Sequence, residues 1–274
     1  MVFLIWNGSE FSCICSNSEE LIIKAHEVSK LDVERIRIYY EIEGKRIYLA
    51  RNTVLSSLKT NSFYVKDIGP QFNYRAVFIL EYIGPLLIWP IVYRFSAIRL
   101  DLASILWISH YLKRLFESIF VHSFSNTTMP YRNLIKNCLY YWSMAFLISY
   151  SYSHSIFSFE VSDLLKKTFF ALFFIFESLN AYCHIALKNL RPKNSKDHIL
   201  PRGIFFNSIT SPNYTFEILS WISFSFYIHN YSSFLFTVLG AIQMYKWASQ
   251  KRIKLSFKYP EAKNRGRLTP FLLF

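Results

Sequence analysis

The sequence predicts a membrane-embedded bundle of about six helices preceded by a small α+β domain. Three observations lead to this prediction. The 274-residue chain is 52% hydrophobic and 19% aromatic, yet it carries a formal net charge of +13, a combination that is typical of a polytopic membrane protein with basic loops. The first 75 residues contain no apolar run close to the ~20 residues that cross a bilayer. After them, apolar segments follow one another toward the C-terminus.

The N-terminal region has the order strand, strand, helix, strand, strand. Turn signals at 7–8 (Asn-Gly) and 43–44 (Glu-Gly) each separate two strand-like runs. Between these hairpins lies a run with helical spacing, and Asn17 or Ser18 is placed to cap it. This order predicts a ubiquitin-like β-grasp domain over residues 1–68, and an unrelated small α+β module is the alternative. The strand-like runs are 2–6, 11–15, 35–40 and 46–49, and the helical run is 18–28.

Six apolar segments within residues 69–274 predict five or six membrane spans. Pro85 and Pro90 lie in the first segment and Pro212 interrupts the fifth; such breaks are tolerated where neighbouring helices or water satisfy the freed carbonyls. Basic residues precede the first span and recur around Lys188 and after the last span. The positive-inside rule therefore predicts that the N-terminal domain, this loop and the C-terminal tail face the cytosol. The segments are 76–93, 100–121, 138–156, 168–187, 203–228 and 231–248.

The second segment carries a charged stripe whose members recur at i, i+3, i+4 and i+7 and therefore share one face of a helix. A lipid-facing Lys113 and Arg114 would together cost about 5–7 kcal/mol, so this face must look into a protein interior or a water-filled cavity. We therefore expect a polar chamber inside the bundle, and helix packing is the alternative role for its residues. The stripe comprises His110, Lys113, Arg114 and Glu117, and the other polar residues of the spans are Glu81, Glu177, Asn180, His184, Asn213, Tyr214 and Glu217.

A set of basic residues outside the spans suits the mouth of such a chamber. Their positive charge would attract a ligand that carries several phosphates, and plain positive-inside topology is the alternative explanation. These residues are Arg191, Lys193, Arg202, Lys263, Arg265 and Arg267.

Several other kinds of site have no motif in this chain. There is no Gly-x-Gly-x-x-Gly after a strand and no Walker motif, so a nucleotide would have to bind inside the helical bundle. The histidines are scattered without a His-x-x-x-His pair, so we expect no metal. The four cysteines are divided between the two regions and are expected to be reduced. Nucleic acid is not expected among the partners.

A series of ordered motifs runs through nearly the whole chain. They include His-Tyr-Leu-Lys-Arg at 110–114, Thr-Met-Pro at 128–130, Tyr-Tyr-Trp at 140–142, Leu-Arg-Pro at 190–192, Ser-Pro-Asn-Tyr-Thr-Phe-Glu at 211–217 and Tyr-Pro at 259–260. Together they resemble the very-long-chain trans-2-enoyl-CoA reductases of the steroid 5-alpha-reductase superfamily. The predicted bundle is therefore expected to have a steroid 5-alpha-reductase-like fold.

The resemblance implies an enzyme of the endoplasmic reticulum membrane that reduces very-long-chain trans-2-enoyl-CoA to saturated acyl-CoA with NADPH. This reaction is the last step of the fatty-acid elongation cycle, so membrane lipid and other enzymes of the cycle are implied partners. By position, the resemblance implies cofactor contacts at a set of polar residues, and it leaves open which of the basic residues 263, 265 and 267 takes part. The set is Arg114, Asn180, Arg191, Asn213, Glu217, Tyr259, Lys263 and Arg265.

The implied reaction needs a proton donor. Hydride adds to the β-carbon, negative charge develops on the thioester oxygen, and an acid then protonates the α-carbon. The resemblance implies Tyr214 as this acid, with Tyr111 second and Glu81 beside it. Lys113 is expected to assist a phosphate or the enolate. The alternatives are a membrane methyltransferase of the isoprenylcysteine type, a steroid or polyprenol double-bond reductase, and a non-catalytic elongase scaffold.

Overall fold

The computed structural model describes residues 1–50, 53–96, 100–124, 126–190 and 199–269. The chain forms two compact units. One contains residues 1–74 together with 126–135, and the other contains residues 75–125 and the chain from 136 onward. The predicted division after residue 68 stays a prediction.

The N-terminal unit is built on a five-stranded sheet with one helix. The sheet order is β2-β1-β5-β3-β4, in which β1 and β5 are parallel and the other neighbours are antiparallel. Both predicted hairpins are confirmed, and both residues of each turn have positive φ, the conformation that lets a two-residue turn match the twist of its strands. The elements are β1 (Val2–Trp6), β2 (Ser9–Cys13), α1 (Ser18–Ser29), β3 (Ile36–Ile42), β4 (Lys45–Tyr48) and β5 (Ser62–Asp67).

Helix α1 covers one face of this sheet. Asn17 caps it, because the Asn17 side chain accepts hydrogen bonds from the backbone N–H groups of Glu19 and Glu20 at 3.0 Å each. Leu21 and Ala25 are completely buried in the core between the helix and the strands. The apolar positions of α1 therefore attach the helix to the sheet.

A second, two-stranded sheet was not predicted from the sequence. Strand β6 (Gln71–Asn73) pairs antiparallel with β7 (Thr128–Pro130). Each strand has three residues, which is too short for the alternation of apolar and polar positions to be recognised.

Within the described residues, six helices of more than ten residues follow Asn73. They are α2 (Tyr74–Phe95), α3 (Leu102–Phe116), α4 (Tyr131–Ser153), α5 (Asp163–Asn189), α6 (Pro212–Tyr227) and α7 (Tyr231–Lys258). Helix α3 continues into a π-helical turn, Glu117–Val121. In this part of the chain, two helices, α2 and α5, are long and apolar enough to cross a membrane, and the six-span bundle stays a prediction.

The fifth apolar segment differs from its prediction. The sequence predicted one span over 203–228, interrupted at Pro212. Helix α6 instead begins at Pro212, and residues 203–209 form turns before it. Proline at the first helical position lacks only an N–H that has no partner there anyway, so Pro212 starts this helix and does not kink it.

Aromatic side chains fill the centre of the helical unit. The rings of Trp89 on α2 and Trp107 on α3 stack with centroids 4.6 Å apart, and Phe224 of α6 contacts both. Trp107 Nε1 also donates to the carbonyl oxygen of Pro85 at 2.9 Å, which ties α3 to the proline-containing part of α2. This packing holds α2, α3 and α6 in the positions that create the site.

Candidate active site

The charged stripe of α3 faces the interior of the helical unit. Asp101 starts α3 through a capping box, which sets where the helix begins and hence which side chains turn inward. His110 and Glu117 are buried at 2% and 3% exposure. The side chains of Lys113 and Arg114 are exposed by only 18% and 12%. The prediction that this stripe faces a protein interior is confirmed.

Helix α5 supplies a carboxylate to the stripe. Glu177 Oε1 lies 2.8 Å from His110 Nδ1, and Glu177 Oε2 lies 2.7 Å from Lys113 Nζ. On its other edge, the His110 ring places Nε2 at 3.5 Å from Glu217 Oε1 of α6. His110 is therefore held between carboxylates of two different helices.

Asn180, one turn beyond Glu177, joins three helices. Its side-chain oxygen accepts a hydrogen bond from Lys113 of α3. Its side-chain nitrogen donates to the carbonyl oxygen of Asn213 at 2.8 Å and to Glu217 Oε2 at 3.0 Å. A fully buried amide that satisfies donors and acceptors on α3 and α6 fixes the spacing of these helices around the site.

The contacts among these α3, α5 and α6 side chains form a buried polar cluster. Arg114 connects this cluster to α2. Its guanidinium donates to Glu117 Oε2 at 2.8 Å and to the Tyr82 hydroxyl at 2.9 Å. Its Nε lies 3.8 Å from Glu217 Oε1. The same guanidinium lies over the Tyr82 ring, 5.1 Å from the centroid.

The acidic partners in this cluster outnumber the two basic side chains. Lys113 and Arg114 contact three carboxylates, those of Glu117, Glu177 and Glu217. An anionic ligand would have to displace one of these carboxylates to reach either cation. The cluster is therefore better suited to a polar, uncharged group than to a phosphate.

Glu81 lies beside the cluster on α2. It is 1% exposed, and Asn137 of α4 donates to its Oε2 at 3.0 Å. The next residue along the chain is Tyr82, whose hydroxyl accepts from Arg114. Four helices therefore contribute to one polar region in the bundle interior, with α4 adding a fifth element through Asn137.

Several buried polar atoms in the described part of this region have no hydrogen-bond partner. The Tyr111 hydroxyl is one of them, although its ring is enclosed by Trp107, Tyr82 and Trp221. Glu117 Oε1 and Glu177 Oε2 are two more, although both approach Lys113 as ion pairs. A further group lies where α6 begins. An unsatisfied buried polar atom costs about 1–3 kcal/mol, so these atoms indicate a ligand that completes their hydrogen bonds. The group at the start of α6 comprises Thr210 Oγ1, Ser211 Oγ and Asn213 Oδ1.

Tyr214 lies on a different side of α6. Its half-buried ring packs on Trp247 of α7, with centroids 6.1 Å apart. Asn213 and Glu217, four residues apart, share the face that contacts Asn180, whereas Tyr214 is turned from Asn213 by ~100° around the helix. Of the two tyrosines predicted as proton donors, Tyr111 is the one whose neighbours are the stripe and its partners.

Comparison with known proteins identifies the family. The family model for 3-oxo-5-alpha-steroid 4-dehydrogenase matches residues 127–273. A very-long-chain enoyl-CoA reductase of Dictyostelium discoideum is 41% identical over 267 residues, covering 89% of this chain and 88% of that protein. A probable very-long-chain enoyl-CoA reductase of Caenorhabditis elegans is 36% identical, covering 91% and 88%, and a putative enoyl-CoA reductase of Trypanosoma brucei brucei is 38% identical, covering 76% and 74%.

The chain belongs to the very-long-chain enoyl-CoA reductase family. The resemblance seen in the sequence motifs is confirmed. The range matched by the family model contains Asn180, Asn213 and Glu217, and the alignments with the reductases cover about nine-tenths of the chain. The similarity to these reductases therefore includes the parts of the chain that form the cluster.

The C-terminal residues predicted for cofactor contact in this reductase lie in three different environments. Tyr259 ends α7 and packs with Leu200, Leu255 and Ala262. Lys263 is exposed, whereas Arg265 is buried and donates to the carbonyl oxygen of Pro201 at 2.6 Å. Arg191 lies outside the described residues.

Arg265 lines an open pocket of about 410 Å³ together with Arg202, Asn207 and Glu261. The segment after Arg265 reaches the start of α6, because the N–H of Gly266 donates to Ser208 O and Gly266 O accepts from Thr210, both at 2.9 Å. Of the basic residues 263 and 265, Arg265 is the one that joins a pocket connected to the start of α6.

One group in the described chain has the composition of a metal site. Ligand atoms of Glu117, His122 and His184 lie within 4.8 Å of one another. Arg114 contacts both Glu117 and His184, at 2.8 and 3.3 Å. A cation already occupies this neighbourhood, and the absence of a metal stays a prediction.

Thr210 and Ser211 were not singled out from the sequence as site residues, and neither were three residues with polar side-chain contacts in this region. Tyr82 is one aromatic residue among many in the apolar segments, so nothing in its position marked it as the acceptor for Arg114. Asn137 lies just before the apolar part of α4, and its contact with Glu81 depends on how α2 and α4 pack. His122 follows the π-helical turn and contacts His184 across 62 residues of chain.

Proposed function

We propose that this chain reduces very-long-chain trans-2-enoyl-CoA to saturated acyl-CoA with NADPH, as the last step of the fatty-acid elongation cycle. The observation that carries the proposal is the buried polar cluster of α3, α5 and α6 in a chain whose relatives are named very-long-chain enoyl-CoA reductases. A stable protein does not bury this many charged and unsatisfied polar groups in an apolar bundle without a use for them.

The start of α6 fits the nicotinamide end of the cofactor. Thr210 Oγ1, Ser211 Oγ and Asn213 Oδ1 are buried without partners, and together they offer donors and acceptors to a carboxamide or to ribose hydroxyls. When bound, NADPH supplies the hydride. Asn180 holds the backbone of Asn213 in place through its carbonyl oxygen, and Glu217 in turn holds Asn180. Arg265 and the pocket beside it are suited to a more polar part of the cofactor.

Tyr111 is the proton donor that we favour. Its hydroxyl is buried and unpaired, and Arg114 and Glu217 act on it electrostatically. A cation near a phenol stabilises the charge that the phenol acquires as its proton leaves for the α-carbon. Lys113 would stabilise the developing enolate oxygen in the transition state, and Arg114 would also contact the uncharged nicotinamide end of the cofactor. Glu81 lies next to Tyr82 in α2, and Tyr82 accepts a hydrogen bond from Arg114.

Two variants separate the candidate donors. Tyr111→Phe should lower the rate of NADPH oxidation with a long trans-2-enoyl-CoA by about 10²-fold or more, the usual contribution of a general acid, while NADPH still binds. Tyr214→Phe should stay within a few-fold of the wild type. The rate is followed by NADPH absorbance with purified protein in detergent. If Tyr111→Phe keeps the activity of the wild type and Tyr214→Phe is inactive, Tyr214 is the proton donor.

For the whole chain, we propose a six-span bundle in the endoplasmic reticulum membrane with a ubiquitin-like β-grasp domain and a C-terminal tail in the cytosol. The sheet order β2-β1-β5-β3-β4 with parallel central strands supports the domain assignment. Six helices at the positions of the six apolar segments support the span number. Membrane lipid and other elongation-cycle enzymes are the proposed partners.

A steroid is the second candidate substrate, because the matching family model is described by a steroid reaction. The same cluster could reduce a conjugated carbonyl in either substrate class. Turnover of a 3-oxo-4-ene steroid, with none of the enoyl-CoA, would select this alternative.

A further inference from the structure

A line of hydrogen bonds leads from Arg114 to two histidines that the proposed reaction does not use. Arg114 Nη1 lies 3.3 Å from His184 Nε2 on α5. The other nitrogen of that ring, Nδ1, lies 3.0 Å from Nε2 of His122. His122 follows the π-helical turn after α3, and both histidines are half-buried.

The chemistry of arginine sets the direction of this line. A guanidinium has only donors, so His184 Nε2 must accept from Arg114. The proton of a neutral His184 is then on Nδ1, which donates to His122 Nε2. His122 in turn carries its proton on Nδ1. Both rings are neutral and have the same tautomer, as assigned from the hydrogen-bond network.

The same reasoning argues against a metal in this group. Two histidines and Glu117 would be a reasonable ligand set for a divalent metal. A metal bound to His184 Nδ1 needs a lone pair there, which moves the proton to Nε2. That proton would point at an N–H of Arg114. Two hydrogen-bond donors would then face each other, and the contact would become repulsive. The contacts fit a chain of hydrogen bonds and not a metal centre.

We propose that His122 and His184 form a proton-sensitive pair that positions Arg114 for cofactor binding. The inference rests on the proposed function, because it assumes that Arg114 serves NADPH binding. When His122 takes one proton from solvent onto Nε2, it becomes a donor toward His184. His184 can accept from it only with its own proton on Nε2, and this proton opposes Arg114. A single protonation at the half-buried ring is thereby converted into repulsion at Arg114.

Charges of both signs surround the pair. Lys113 and Arg114 on α3 and Lys251 on α7 all act on the His184 ring. Glu117 in the π-helical turn is the opposing negative charge, and Arg114 already binds it at 2.8 Å. The hydrogen-bond line requires both rings to be neutral, so we expect acid to break it and to release Arg114.

Glutamine variants test the pair. His122→Gln retains an acceptor toward His184 but cannot be protonated. His184→Gln retains one acceptor and one donor, whereas His184→Leu retains neither. His154→Gln is the matched control, because His154 is an exposed histidine at the end of α4.

Binding of NADPH is measured by fluorescence titration at about pH 8 and about pH 6, the range in which histidines titrate. Between pH 8 and pH 6 the dissociation constant should rise in the wild type and in His154→Gln. Its rise in these two proteins should be about ten times the rise in His122→Gln. The cofactor phosphate titrates equally in all variants, so only the ratio between variants counts. His184→Leu should bind about tenfold more weakly at both pH values, because a buried Arg114 N–H loses its acceptor, and His184→Gln should restore binding.

Nitrogen-15 NMR of histidine-labelled protein without NADPH gives an independent test. The wild type should show neutral rings protonated on Nδ1, and His184→Gln should remove one such signal and shift a second. Identical pH dependence in the wild type and His122→Gln would overturn the proposal. So would a zinc ion that copurifies with the wild type and is lost in His184→Gln. If NADPH binds at no pH, the proposed function fails, while the NMR signals still decide whether the hydrogen-bond line exists.

Discussion

At the scale of single residues, the two buried cations of α3 have partners on other helices. Lys113 meets Glu177 of α5, and Arg114 meets Tyr82 of α2 and approaches Glu217 of α6. A buried ion pair adds little net stability, because both charges lose their hydration. Removing only one of the two charges is far more damaging, because the other charge stays buried without its partner. The cluster is therefore a specificity feature that the aromatic core around it must stabilise.

Glu177→Gln should lower the free energy of unfolding by about 1–3 kcal/mol, because Lys113 loses the nearer of its two carboxylates, at 2.7 Å, and keeps only Glu117 at 3.8 Å. Lys113→Met should have a similar effect. The double variant should be destabilised by less than the sum of the two, because the Lys113–Glu177 contact can be lost only once. Denaturant titration of the purified protein in detergent measures all three. Additive losses would mean that Lys113 and Glu177 do not stabilise each other.

Another residue-level prediction concerns the ends of β3 and β5. Arg35, just before β3, binds Asp67 at the end of β5 at 2.6 Å. The guanidinium lowers the pKa of the Asp67 carboxyl below its usual value. A carboxyl with a lowered pKa in the folded state contributes stability above its unfolded pKa, and this contribution is lost as the pH falls through the folded value.

The N-terminal sheet should therefore lose about 1 kcal/mol of protection below about pH 4. Hydrogen exchange of the β5 amides in the full chain measures this loss. Asp67→Asn should be less protected at neutral pH and should lack the acid-dependent change. A pH profile shared by both proteins would contradict the assignment to Asp67.

At the scale of elements, a large side chain of α4 packs against a glycine of α2. Gly84 of α2 is buried beside Trp142 of α4, whose indole donates to the carbonyl oxygen of Leu80 at 3.3 Å. A Cβ at position 84 would lie 1.9 Å from Trp142 Nε1. Since no two such atoms can be that close, either the indole or the helix has to move.

Gly84→Ala should therefore destabilise the protein by about 1–3 kcal/mol, the usual cost of overpacking. Gly240→Ala is the matched control, because its Cβ would meet Met244 at an ordinary 3.7 Å. That substitution should be neutral or stabilising, as alanine favours a helix over glycine by about 1 kcal/mol. Thermal unfolding of both variants measures the difference. Equal effects of the two alanines would show that α2 and α4 are not in close contact at Gly84.

At the scale of the whole molecule, the proposed topology gives a prediction about the termini. Six crossings place the N-terminal domain and the C-terminal tail on the same side of the membrane. Epitope tags at both ends should be digested by protease added to sealed microsomes, and a glycosylation acceptor at either end should stay unmodified. Protection of one tag alone would require an odd number of crossings.

The sequence alone determined the local features of this protein: the two hairpins, the cap of α1, the positions of the helices and the inward face of α3. These depend on turn chemistry, capping and periodicity, which act over a few residues. It also identified the family through its motifs. Only the tertiary structure decided which distant residues meet: that Asn180 joins Asn213 and Glu217, that Arg114 binds Tyr82, and that His122 reaches His184. Such contacts follow from how helices pack, and packing depends on the fit of many side chains at once.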